Sequence, residues 1–192
     1  LKPLICALQM DLPVVDGDGM GRAFPELQMD SFAIGGLDLS PLALGDCHRN
    51  QVVLHSVSGP VQAERYARNL TIEMGGSTAL AMPMMTGHEL KRTLIRKTLS
   101  LAKALGEAVL GAREVGKDPV EKIIDLTQGR VLFRGKITDV ERRTTRGFSR
   151  GTMKLAAFGD PEDHLEIHFQ NENLIAYRNG QAVCTVPDLI TL

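Results

Sequence analysis

The sequence predicts an α+β protein, an α/β layer over residues 1–115 followed by a β-rich, mainly antiparallel module over residues 116–192. Three observations carry that expectation. Leu90, Leu94, Leu101, Leu105, Ala108 and Ala112 recur at helical spacing, so one helix face packs on a core. Beyond Lys117 the pattern changes to runs of β-formers separated by Gly. Asn179-Gly180, between two such runs, is a strong hairpin signal.

The elements follow in order. Pro3 to Met10 is apolar nearly all round and reads as a buried helix end, with a short strand at Leu12 to Val15. Residues 16–50 are rich in Gly, Asp and Pro and read mainly as loop; Gln51 to His55 is strand-like. Ser58-Gly59-Pro60 opens a helix that stops near Met74, before Gly75-Gly76. Thr78 to Met82 reads as a short buried strand. Thr86 and Glu89 form a capping box for the longest helix, expected to run unbroken to about Glu114. Pro119 to Leu126 is a short connecting helix. Five β-runs then follow between Arg130 and Val186.

Composition narrows the function classes. With 43% hydrophobic and 23% charged residues in 192, the chain is an ordinary globular protein that needs no metal or disulfide to fold. A formal charge of −1 argues against a dedicated nucleic-acid binder, and 4% aromatics with no Trp leaves little for base or sugar stacking. No apolar run reaches the roughly 20 residues that span a bilayer. Cys6, Cys47 and Cys184 lie far apart with no CxxC pair, which points to a reduced, cytoplasmic setting. Residues 129–154 hold eight Lys or Arg against Asp139 and Glu141, read as a solvated face or a contact for the acidic tail.

The densest chemistry lies in Val14-Val15-Asp16-Gly17-Asp18-Gly19-Met20-Gly21-Arg22-Ala23-Phe24-Pro25-Glu26-Leu27-Gln28-Met29. A loop after a buried strand is where α/β folds bind ligands. Asp16, Asp18 and Glu26 are candidate catalytic carboxylates, with Asp16 or Asp18 as the proton acceptor. Asp16 and Asp18 are also candidate ligands for a divalent metal. Arg22 offers a planar fork for an oxyanion, and Gly19 and Gly21 permit close backbone approach. An Asx-rich turn with a structural salt bridge explains the same residues. The glycine spacing is neither GxGxxG nor a phosphate loop. A second cluster, Gln170-Asn171-Glu172-Asn173, interrupts β-rich sequence, and its Asn171, Glu172 and Asn173 are candidate substrate-binding groups or parts of an ordered turn. His164 and His168 share a strand face, and no histidine spacing specifies a metal site.

The first segment resembles the fingerprint of the S-methyl thiohydantoin desulfurase domain family. The resemblance continues through Gly135-Lys136-Ile137-Thr138-Asp139-Val140, through Gly147-Phe148 with Gly151, and through Phe169-Gln170-Asn171-Glu172-Asn173-Leu174-Ile175-Ala176. It closes at Val186-Pro187-Asp188-Leu189-Ile190. It implies an internal portion of a longer protein and hydrolytic removal of sulfur from a thiohydantoin or a related small cyclic amide. It also implies association with a hydantoinase/oxoprolinase protein. The alternative is a non-catalytic accessory or substrate-binding subunit of such a system. The expected partners are a small-molecule substrate, that protein and a second copy of the chain, with neither nucleic acid nor membrane.

Overall fold

The computed structural model describes residues 2–192. In chain order it contains helix α1 (Lys2–Gln9), strand β1 (Gly17–Asp18), a single 3-10 turn (Leu27–Met29), α2 (Ser31–Ile34), β2 (Leu42–Gly45) and β3 (Gln51–Leu54). Then come α3 (Pro60–Glu73), β4 (Ala79–Ala81), α4 (Gly87–Thr93), β5 (Ile95–Arg96), α5 (Thr98–Glu114) and α6 (Val120–Thr127). Five strands complete the chain, β6 (Gly135–Thr145), β7 (Phe148–Ala157), β8 (Asp160–Gln170), β9 (Glu172–Arg178) and β10 (Gln181–Thr185). Helices dominate the first part and strands the second, as the α+β expectation requires.

Two sheets supply the cores. The first has the order β3-β2-β4, all antiparallel, and buries Leu42 and Leu44 of β2 with Leu39 against Ala63 and Ala67 of α3. Small residues on α3 let the helix approach the sheet closely, and Leu27, Leu54 and Leu70 fill the margin. The second sheet is an antiparallel meander, β10-β9-β8-β7-β6, with one face packed around Leu155, Leu165, Ile167, Ala176 and Ile190. Alternation along β8 sends Leu165, Ile167 and Phe169 inward and Glu166, His168 and Gln170 to the opposite face. At its Asn179-Gly180 turn, Asp163 accepts both arms of the Arg178 fork, at 2.9 and 2.7 Å.

Four expectations need correction. The helix over Pro3 to Met10 exists but is exposed rather than buried, with Leu8 83% accessible. Leu12 to Val15 forms no strand, because pairing begins two residues later, where Gly17 and Asp18 meet Arg96 and Ile95. The Thr78 to Met82 strand forms over Ala79–Ala81 but lies at a sheet edge with all three residues exposed. The fourth is the long helix, which breaks in two. The capping box at Thr86 and Glu89 is present and starts α4. At Leu94 the chain turns extended (ψ 135°), and Lys97 sits left-handed at φ 64°. The loop makes that break favourable: β1 pairs with Ile95–Arg96, and the Asp16 carbonyl accepts the Lys97 N–H at 2.9 Å. Strand β2 lies inside the segment whose composition reads mainly as loop, because Leu-Ala-Leu-Gly carries no β-branched or aromatic residue.

Candidate functional site

The loop from Asp16 to Gln28 runs between α5, α3 and the end of the second sheet. Asp16 lies beside the first turn of α5. Its Oδ1 accepts the Ser100 N–H at 3.0 Å, and its Oδ2 accepts the Ser100 hydroxyl at 2.6 Å. A residue from another segment thus caps a 17-residue helix whose own N-cap, Lys97, supplies no side-chain bond. These bonds from Ser100 hold the Asp16 carboxyl below the usual aspartate range. Asp18 closes a turn on itself, accepting from Met20 N at 2.7 Å and Gly21 N at 2.6 Å. Burial opposes its ionisation, yet the Gly21 and Met20 amides outweigh that and lower its pKa.

The glycines have steric reasons. A Cβ on Gly19 would lie 2.6 Å from the Phe32 ring, and Gly21 holds φ +68° against the Ile95 side chain. Both let the loop lie flat on its neighbours.

Arg22 reaches across to the chain's last turn. Its Nε donates to Pro187 O at 3.3 Å, Nη2 to Asp188 O at 3.1 Å and Nη1 to Ala23 O at 3.0 Å. The guanidinium also stacks over Phe24 at 4.3 Å. Arg22 therefore works as a clamp on carbonyls.

Glu26 differs from the other carboxylates of the loop, because only side-chain amides bond to it. Gln170 Nε2 donates to its Oε1 at 3.1 Å, and Gln28 Nε2 bonds to Oε2. Below it, Glu64 of α3 accepts the Leu27 N–H at 2.9 Å and Arg68 Nε at 2.7 Å. Arg68 also donates to Pro25 O at 2.6 Å and lies 4.3 Å over the Phe148 ring of β7. Pro25 to Leu27 are thus tied both to α3 and to the second sheet.

The three segments singled out by sequence converge. Loop 16–28, the 170–173 cluster and the 186–190 tail meet through Glu26–Gln170 and Arg22–Pro187/Asp188, and Asn173 Nδ2 donates to Ile190 O at 3.0 Å. Within the cluster Asn171 is a turn residue at φ 57°, exchanging bonds with the Ser149 backbone at 2.7 and 2.8 Å. Glu172 stands across from Gln170 in the ladder. No group of three His, Cys, Asp or Glu that could hold a metal ion occurs among the described residues.

Beside the Glu26–Gln170 contact the sheet's outer face forms an open concavity of about 490 Å³, with Arg150, Thr152, His168, Gln170 and Ile175 in its wall. His168 Nε2 meets Glu166 Oε1, and the ring tilts against Tyr177 with centroids 5.3 Å apart. Sequence reasoning treated His168 only as a neighbour of His164. The signal that could have found it is Glu166, two residues earlier in a strand and so on the same face.

Comparison with known proteins gives this arrangement a context. The S-Me-THD-like C-terminal domain model matches residues 58–192, and the corresponding N-terminal domain model matches residues 1–56. The chain belongs to the S-Me-THD-like family. Its two family models meet between residues 56 and 58, in the connection from β3 to α3, so the β3-β2-β4 sheet takes β2 and β3 from one side of that boundary and β4 from the other. A crystal structure of a protein from Chromobacterium violaceum is similar over 95% of the S-Me-THD-like chain at 27% identity, with a TM-score of 0.67. The match covers 49% of that protein, so the chain spans about half its length. No curated protein matches the chain. Among the described residues no helix is long and apolar enough to cross a membrane.

Proposed function

We propose that the chain contributes the catalytic face of a hydrolase that removes sulfur from a thiohydantoin or a related small cyclic amide. The observation that carries this reading is the Glu26–Gln170 contact, 144 residues apart in sequence, which ties Glu26 to a residue in the wall of the outer-face concavity. In the reaction, water attacks the ring carbon bearing the S-methyl group and its proton passes to Glu26. Negative charge builds on the ring nitrogen until the C–S bond breaks, and the proton left on the new hydroxyl passes to that nitrogen as the carbonyl forms. The departing thiolate takes a proton, leaving a hydantoin and methanethiol. Gln28 and Gln170 orient the Glu26 carboxylate, and His168, backed by Glu166, is the proton donor to the leaving sulfur. Asp16, Asp18 and Arg22 support the loop that carries Glu26. Gly19 and Gly21 keep it close to Phe32 and Ile95.

The test is incubation of the full-length protein with an S-methyl thiohydantoin. The expected outcome is stoichiometric methanethiol and hydantoin, with one oxygen from labelled water in the ring carbonyl. Unchanged substrate, or product lacking the label, would contradict the reading.

A second reading, a non-catalytic subunit of a hydantoinase/oxoprolinase system, draws support from exposed apolar side chains on α1 and α5, among them Ile5, Leu8, Leu101 and Leu110. Under that reading the protein raises the activity of a hydantoinase without turnover of its own.

A further inference from the structure

Strands β6 to β9 align side chains in rows across the face turned away from the Leu165–Ile167 core. One row runs Arg143, Arg150, Gln170, Glu172, and the next runs Glu141, Thr152, His168, Ile175. Arg143 and Arg150 are direct cross-strand partners, and like charges in that position repel. Arg143 has a carboxylate neighbour, Glu141, at 2.6 Å, in a pair that is mostly solvent-exposed. Arg150 has no carboxylate partner among the described residues and only stacks near the Phe148 ring, at 5.3 Å. An unpaired guanidinium facing a second cation, at the wall of a concavity of about 490 Å³, is a setting that an anion would relieve.

We propose that this concavity binds a small ligand through a carboxylate held by the Arg150 fork, with the ligand's ring lying toward His168 and Gln170. The ring identity rests on the sulfur-removal reading. The substrate class is then a thiohydantoin or hydantoin whose ring substituent ends in a carboxylate. The wall also holds Glu141, which Arg143 already engages, so the unpaired Arg150 guanidinium selects the carboxylate, and the open side of the concavity leaves room for the substituent.

Calorimetric titration of the full-length protein with three probes tests this: hydantoinacetic acid, neutral ethylhydantoin, and succinate as a carboxylate without the ring. The acid is expected to bind about tenfold more tightly than the neutral ring. Arg150→Gln should weaken the acid by about tenfold and leave ethylhydantoin unchanged. Arg150→Lys should fall between, because it keeps the charge and loses the fork. The unliganded Arg150→Gln variant should melt no lower than the wild type, since the repulsion with Arg143 is removed. Equal binding of acid and neutral ring, or an Arg150→Gln variant that binds the acid normally, overturns the inference while the ring reading stands. Succinate binding as well as the ring acid, with ethylhydantoin silent, overturns the ring reading and leaves the anion site in place. Silence from all three overturns the proposal.

Discussion

Asp16 illustrates how a side chain that looks catalytic can hold a fold together. Its carboxylate takes both donors of Ser100 and so joins a loop to a helix 84 residues away in sequence. Because its pKa is lowered in the folded state, the stabilisation is present above the ordinary aspartate pKa of about 3.9 and is lost as the pH falls through the lower, folded value. Asp16→Ala should therefore lower the melting temperature at pH 7, and the deficit should shrink steadily as the pH falls below about 4. Thermal melts of both proteins across that range check it, and a deficit that stays constant with pH would count against the cap. The turn that Asp18 closes was legible, as one of two readings of Asp18-Gly19-Met20-Gly21, since such turns need only local sequence. Ser100 as the partner of Asp16 was not, because nothing in a linear chain says which distant helix start lacks a cap.

The break between α4 and α5 makes the same point for whole elements. Helical periodicity runs through Leu90 to Ala112, and each half of the pattern is a real helix. What periodicity misses is competition: Gly17 and Asp18 offer strand pairing to Ile95 and Arg96, and that pairing overrides local propensity. The hairpins of the second sheet were legible because turn residues and alternation agree at short range. Helix α3 carries the other long-range tie. Glu64, 5% exposed, holds both Arg68 and the Leu27 N–H. Removing it leaves the Arg68 Nε and the Leu27 amide without their acceptor, so Glu64→Ala should cost about 3 kcal/mol. Chemical denaturation measures this, and a loss within the roughly 0.5 kcal/mol scatter of surface changes would show that the clamp is idle.

On the scale of the whole molecule, two small cores are joined by polar contacts around one seam. Arg22, Glu26 and Arg68 carry the connection, and their partners lie in the last strand's turn, in β8 and on β7. The family resemblance marks these segments individually, but only folding brings them to one place. The same seam places a glutamate beside a concave sheet face carrying His168. The role proposed for Glu26 at this seam is to take the proton from the attacking water. The most direct measurement is the turnover of an S-methyl thiohydantoin by full-length Glu26→Gln, with its melting curve. Replacement keeps the size and one acceptor and removes the base, so the rate should fall by about 100-fold or more while the melting temperature stays near that of the wild type. A folded Glu26→Gln protein that releases methanethiol at the wild-type rate would rule out Glu26 as the base.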